Sequence, residues 1–348
     1  MKLHLDLIQA RLRAPFVSAS GPILDRRLLL VRLEAADGVV GFGEAAPLPS
    51  YDGVTLEDVR AALEDCRTAL ATAPRDGRDR AGLLAECTRR AVLPQAVAAL
   101  DLALWDMEGR RRGEPVWKLL GVPAAQPVEV NATIAAADRA GAASEAAAAR
   151  AAGFAAVKVK VGLGDDAGRL AAVRAAAGRE LAIRLDANGA WSVPEALAAL
   201  RMLEPVGIEL CEEPVSGLDE IALVSAEAAV PIAIDETAAS PGALDRRVCA
   251  AACLKVSRCG GISGLINAAA QAREAGYDVY LASTLDGPLG ISAALNAALA
   301  IAPQRPSGLA TLPAFADRAD PVPASGGRIS VPVGAGLGDG LVDWYLDA

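Results

Sequence analysis

Two lysines set the chemistry. Residues 155–162 alternate small and branched apolar residues with Lys158 and Lys160, the period of a β-strand. Residues two apart leave the same face of a strand, so both ammonium groups point one way. Like charges repel and burial disfavours an ammonium, so the pattern favours a neutral amine, which near pH 7 is a general base. Only five of the 34 basic residues are lysine: Lys2, Lys118, Lys158, Lys160 and Lys255. Arginine is the default cation here and cannot be deprotonated in a protein. Two of five lysines on one strand face therefore mark a position that needs an amine.

Carboxylates follow at regular intervals: Asp186 with Asn188, Glu212 with Glu213, Asp235 with Glu236, and then Lys255, each 20 to 26 residues beyond the last. That interval is one strand-plus-helix unit. A single acidic pair at a strand end is ordinarily a solvated edge; five neighbouring strands ending amine, acid, acid, acid, amine is a constellation. Three converging carboxylates repel unless a cation lies among them, and a set of hard oxygens implies Mg²⁺, with Mn²⁺ as substitute. A metal flanked by lysines suits removal of a proton α to a carboxylate: the ion stabilises the enediolate and a lysine takes the proton.

Composition narrows the alternatives. The 348 residues carry a net charge of −9, which argues against a nucleic-acid partner. The single histidine, His4, excludes a multi-histidine metal site or a triad built on a second histidine. No run reaches the length of a membrane span and the N-terminus has no signal-peptide core. Six cysteines without CxxC spacing are expected to be reduced, in a cytoplasmic protein. The expected partner is a small-molecule carboxylate substrate, with no membrane; a homo-oligomer is compatible.

The elements that must position these residues fall into two patterns. Residues 2–13, 26–35 and 39–44 read as strands, with loops at 14–22 and 46–53. Thr55 caps a helical run to about residue 70, and helical periodicity returns at 81–89 and 94–110. Trp105 and Trp117 are expected in the core. After residue 122 strands alternate with Ala-rich helices: 128–133, 155–161, 181–186, 208–212, 232–235, 254–256, 279–282 and, weakly, 308–311. Eight such units fit a (β/α)₈-type barrel, whose active site lies at the C-terminal strand ends. A doubly wound sheet is the rival, but no Gly-rich phosphate turn supports it.

The set Lys158-x-Lys160, Asp186-x-Asn188, Glu212-Glu213-Pro214, Asp235-Glu236 and Lys255-x-Ser257-Arg258-x-Gly260-Gly261 resembles the enolase superfamily, in particular its muconate-lactonizing-enzyme subgroup. Gly43-Glu44-Ala45-Ala46-Pro47 and Ala103-Leu104-Trp105-Asp106 resemble that family's capping domain. The resemblance implies an α/β fold: a (β/α)₇β TIM-type barrel over residues 123–321, an α+β capping domain over 1–122, and a tail, 322–348, packing back on the latter. It implies Asp186, Glu212 and Asp235 as metal ligands, Lys160 and Lys255 as the acid/base pair, and Lys158 lowering the pKa of Lys160. Glu213 and Glu236 stand behind the ligands.

Within the subgroup, Ala46-Pro47-Leu48-Pro49-Ser50-Tyr51 and Leu281-Ala282-Ser283-Thr284-Leu285-Asp286 resemble loops of o-succinylbenzoate synthases. The first expectation is therefore syn dehydration of 2-succinyl-6-hydroxy-2,4-cyclohexadiene-1-carboxylate to o-succinylbenzoate, in menaquinone synthesis. Alternatives in the subgroup are racemisation of N-acylamino acids, muconate-type cycloisomerisation and dipeptide epimerisation. The last is disfavoured because 307–311 lacks the acids that hold an α-ammonium in dipeptide epimerases. A Schiff-base lysine barrel is the rival enzyme class, and an inactive binding relative the non-enzyme one. Expected substrate contacts are Arg184, Asn188, Ser283 and Thr284 from the barrel, and Phe16 and Tyr51 from two loops at 15–25 and 46–54 that would close over it, with Arg26 at the edge for a distal carboxylate.

Overall fold

The computed structural model describes residues 1–18, 21–72 and 80–346. Three antiparallel strands come first, β1 (Lys2–Ser18), β2 (Gly21–Glu34) and β3 (Val40–Ala45). Helices follow: α1 (Pro49–Asp52), α2 (Leu56–Asp65), α3 (Arg67–Thr72), α4 (Arg80–Arg90), α5 (Pro94–Arg112) and α6 (Val116–Leu119). Period-two alternation splits β2 between two cores. Leu29, Val31 and Leu33 pack with Leu63, Leu100 and Leu104 of the helices, whereas Leu28 and Leu30 join the core that extends through the barrel. Gly41 and Gly43 let α5 lie against β3; a Cβ at either would stand 2.1 Å from the carbonyl oxygen of Ala103 or Ala99. Thr55 and Asp58 form the capping box that starts α2, which satisfies its first free N–H groups.

The remaining elements are β4 (Val128–Glu129), β5 (Ala132–Ile134), α7 (Arg139–Ala151), β6 (Ala156–Lys160), α8 (Asp166–Ala177), β7 (Ala182–Asp186), α9 (Val193–Leu203), β8 (Ile208–Glu212) and α10 (Leu218–Glu227). They continue with β9 (Ile232–Ile234), β10 (Ala251–Lys255), α11 (Gly261–Ala275), β11 (Asp278–Ala282), α12 (Pro288–Ile301), β12 (Arg328–Ile329) and α13 (Asp343–Leu346). Strands β5 to β11 form one sheet in sequence order, each parallel to the next. The expected eighth strand is reduced to two bridges, Ala282 with Gly308 and Val130 with Ser307, which join the ends of the curled sheet. The fold is the TIM-type barrel with an N-terminal α+β cap.

Register places the chemistry. Lys160 lies beside Asp186, and Asp186 beside Glu212, in one layer at the strand ends. The intervening Val157, Val159, Ile183 and Leu185 are fully buried on the opposite, helix-facing side.

Two local readings change. The segment 14–22 is not a loop: β1 runs to Ser18 and β2 starts at Gly21, with a register shift between Arg11 and Phe16. Backbone pairing carries both arms despite their small and turn-forming residues; Ala19 and Ser20 lie outside the described residues. Within 46–54, α1 forms a single turn ended by Gly53 at φ 70°. Among the described residues no helix is long and apolar enough to cross a membrane, and all six cysteines are free.

The C-terminal segment touches both parts. β12 pairs with β4, the Leu337 N–H donates to Asp106 Oδ1 at 2.8 Å, and the Tyr345 hydroxyl donates to Glu44.

Candidate active site

The strand ends open into a cleft lined by Lys158, Lys160, Asp186, Asn188, Asp235, Glu236 and Lys255, and roofed by Phe16, Ile23, Leu48, Ser50 and Tyr51. Strands β6 and β10 lie four positions apart in the eight-position ring, so Lys160 and Lys255 enter from opposite sides with the acids between them. Both are buried, at 8% and 5% exposure. Lys160 Nζ donates to Asp186 Oδ2 at 2.6 Å and to Asn188 Oδ1 at 2.8 Å. Lys255 Nζ donates to Asp235 Oδ1 and, at 2.7 Å, to the Tyr51 hydroxyl, which itself donates to Asp235 Oδ1 at 3.0 Å. Lys158 is 2.8 Å from Asp186 Oδ2 and in ion contact with Glu212.

These contacts correct the expectation of a repelled, neutral amine at Lys158, and they keep Lys255 an ammonium. Burial pushes Lys158 down, but Asp186, Glu212 and Asp235 outweigh it and hold the ammonium well above its ordinary range. Burial likewise opposes charge on Lys255, and Asp235 reverses that. Asp186 is held below the usual carboxylate range: burial alone would raise it, and Lys158 and Lys160 prevail. Glu212 goes up, chiefly through burial. Lysine pairs across a strand face repel only when nothing stands between them; here acids from the next strands do.

Behind these groups, Glu213 accepts the N–H of Asp235 at 2.7 Å and of Thr237 at 3.0 Å, fixing the backbone at Asp235. Burial lifts Glu213 to about 8. Glu236, lifted by burial and then by Asp235 to about 7, accepts from Asn188 Nδ2 at 2.9 Å. Asn188, Glu213 and Leu285 hold left-handed backbone, φ 46°, 39° and 56°. Strain of that kind in non-glycine residues gathers where side chains must be aimed.

Do the acids fit a divalent ion? Glu212 Oε2 is buried at the strand end, a hard oxygen whose near partner is the Lys158 ammonium. Oxygens of Glu212 and Asp235 lie within 4.8 Å of each other and of the Cys253 sulfur. Burial pushes the Cys253 thiol far up, and a protonated soft sulfur is a poor ligand for a hard ion. Asp186, adjacent to Glu212 in register, is the better third donor by chemistry. The set fits Mg²⁺ or Mn²⁺.

Not every expected contact reaches the cleft. Ser283 and Thr284 line it, as do Phe16 and Tyr51; the Phe16 ring lies 5.6 Å from Lys160 Nζ. Arg184 does not. It points into the barrel one layer deeper, level with Lys158 in register, where it is fully buried, pairs with Glu209 at 2.8 Å and donates to the Pro306 carbonyl at 2.5 Å. Arg26 is also withdrawn: its guanidinium donates to the carbonyls of Ala46, Pro47 and Leu285 at 2.7 to 3.3 Å. Thr133, Leu285 and Thr311 line the cleft without having been singled out by sequence; Thr133, at the end of the first barrel strand, was the one legible from position.

Residues 5–121 match the mandelate racemase / muconate lactonizing enzyme N-terminal domain, and residues 141–342 match the enolase C-terminal domain-like family. N-succinyl-L-Arg/Lys racemase of Bacillus cereus is 30% identical over 306 residues, 85% of this chain and 83% of that one. Its solved structure superposes with a TM-score of 0.90, at 27% identity, over 99% of this chain and 98% of that one. A dipeptide epimerase from Cytophaga hutchinsonii, solved with Mg and the dipeptide D-Ala-L-Val, gives a TM-score of 0.86 at 27% identity, over 98% and 97%.

Proposed function

The chain belongs to the mandelate racemase / muconate lactonizing enzyme branch of the enolase superfamily, and on that premise we propose that it is a Mg²⁺-dependent racemase of N-acylated amino acids. The observation that carries this reading is the placement of Lys160 and Lys255 on opposite walls of one cleft. One proton donor and one acceptor on opposite faces is what inversion at a carbon requires.

In this reading Asp186, Glu212 and Asp235 would hold the ion, which would supply positive charge to stabilise the substrate carboxylate as negative charge builds on it. Lys160, oriented by Asn188, removes the α proton from one face. Lys255, kept cationic by Asp235, returns a proton to the other, and the roles exchange in the reverse direction. The hydroxyl and ring of Tyr51 cover Lys255 and exclude water from it. The relatives that act on N-succinylamino acids and on dipeptides support proton transfer at an α carbon. Among the described residues of 307–311 there is no carboxylate, which favours an acylated over a free amine.

The second reading is the syn dehydration to o-succinylbenzoate. The placement of Ser283 and Thr284 in the cleft favours it, and it needs only one base. Incubating single enantiomers of N-acylated amino acids with Mg²⁺ and following optical rotation separates the two. Loss of rotation that stops on chelation supports racemisation; constant rotation for every acylated amino acid, with ultraviolet appearance of o-succinylbenzoate, supports dehydration.

A further inference from the structure

Helix α8 follows the strand that carries Lys160, and the face it buries holds Arg169, Leu170, Val173 and Ala177. The last three are apolar, as packing on a barrel strand asks. Arg169 is the exception, at 1% exposure. Its Nη2 donates to the carbonyl oxygen of Lys160 at 3.1 Å and its Nη1 to Asp166 Oδ1 at 3.2 Å. Its Nε, also buried, has no hydrogen-bond partner among the described residues. The other oxygen of Asp166 accepts the Gly162 N–H at 2.7 Å. Burying a cation is costly, and a buried ion pair can often be replaced by apolar side chains without loss of stability. Stability alone is therefore a weak reason for this arginine, and what it holds is a stronger one.

It holds the end of β6. Strand β5 pairs with β6 only as far as Ile134, opposite Val159. Beyond that point Arg169 and Asp166 take over, at Lys160 and Gly162. The carbonyl carbon of Lys160 is bonded to its Cα, so this clamp sets the direction in which the side chain leaves the strand. The aim of Nζ rests on that direction and on Asn188, because its other partner, Asp186, is given to the ion in the proposed reaction. Lys255 is anchored differently. Its carbonyl accepts the N–H groups of Arg258 and Cys259, each at 3.0 Å, from the turn that follows its own strand. A buried side chain fixes one lysine, and backbone fixes the other.

We propose that Arg169, braced by Asp166, is a positioning residue for Lys160 and not for Lys255. Neither Arg169 nor Asp166 lines the cleft, so both act through the strand end. This rests on the racemase reading and deepens it: proton transfer on one face of the substrate can be impaired without the other.

The test follows α-proton exchange of each enantiomer of N-acetyl-leucine in D₂O with Mg²⁺, for the wild type, Arg169→Met and Asp166→Asn. Lys160→Ala identifies the enantiomer that Lys160 deprotonates. Misplacing a reacting group by about 1 Å can cost on the order of 10²-fold, so exchange of that enantiomer in Arg169→Met should fall at least about 10-fold. Its KM should hold. Exchange of the other enantiomer, read on the same protein, should stay near the wild-type rate. Asp166→Asn, partly exposed at the start of α8, should lose in the same sense and serves if Arg169→Met does not fold. Equal loss for both enantiomers, or no loss for either, overturns the inference while leaving the racemase reading intact. No exchange by the wild type with N-acetyl-leucine or N-succinyl-leucine overturns both.

Discussion

Tyr51 reaches down from the single turn of α1 to place its hydroxyl 2.7 Å from Lys255 Nζ. The cap thereby touches a proposed proton carrier and, through the 3.0 Å bond to Asp235, a proposed metal ligand. Tyr51→Phe keeps the ring over the ammonium and removes the hydroxyl. A hydrogen bond to a charged group is worth about 1.5–3 kcal/mol, so kcat/KM should fall roughly 10-fold or more. Isotope exchange should assign the loss mainly to the enantiomer deprotonated by Lys255. An equal loss for both enantiomers would mean that Tyr51 shapes the cleft without bearing on that lysine.

Metal dependence gives a readout apart from turnover. An ion bound only by the folded chain, present at about a hundred times its Kd, stabilises by roughly 2.7 kcal/mol. Mg²⁺ should therefore raise the Tm of the wild type and restore activity after chelation, with Mn²⁺ substituting. Asp186→Asn, Glu212→Gln and Asp235→Asn should each abolish the shift and cut activity by orders of magnitude. A full Mg²⁺ shift in all three would move the ion elsewhere.

The seam between cap and tail should be pH-sensitive. Glu44 on β3 accepts from the Gly287 N–H at 2.9 Å and from the Tyr345 hydroxyl, facing Asp286 and Arg26. Burial first and Asp286 second raise Glu44 from 4.5 to about 8. The folded state therefore holds this proton more tightly than the unfolded chain does. The contribution to stability is complete below about pH 4.5 and is lost as the pH rises through about 8. The wild-type Tm should fall between pH 5 and 9, and Glu44→Gln should flatten that fall. A variant as pH-dependent as the wild type would exclude Glu44 as its source.

Much of this arrangement was legible in the sequence because period and chemistry coincide: Lys158 and Lys160 two apart, and acids one strand-plus-helix unit apart. Depth was not legible. Alternation tells which face Arg184 takes but not that it sits one layer below Asp186, bound to Glu209. Arg26 misled for a similar reason, since an arginine at a loop edge reads as exposed until three carbonyls enclose it. The Tyr51–Lys255 and Glu44–Tyr345 contacts join residues 204 and 301 positions apart, which no local pattern signals. The arms of the β1–β2 hairpin were missed because proline and small residues mask a pairing set by the partner strand.

Arg184 supplies a contrasting case, a buried ion paired with Glu209 beneath the cleft. Arg184→Met should cost up to about 3–5 kcal/mol of stability, the range for breaking a buried pair, lessened because Arg305 still pairs with Glu209 at 2.7 Å. KM of the folded variant should match the wild type. A raised KM at unchanged stability would return Arg184 to the substrate.

The central claim, one lysine for each face, is tested most directly by α-proton exchange in D₂O. Each enantiomer of N-acetyl-leucine is followed by NMR with the wild type, Lys160→Ala and Lys255→Ala. Racemisation should vanish in both variants, because each lacks one half of the relay. Exchange should survive in each variant for one enantiomer only, and for the opposite enantiomer in the two. Loss of exchange for both enantiomers in Lys160→Ala, with neither lost in Lys255→Ala, would show a single base and contradict the account.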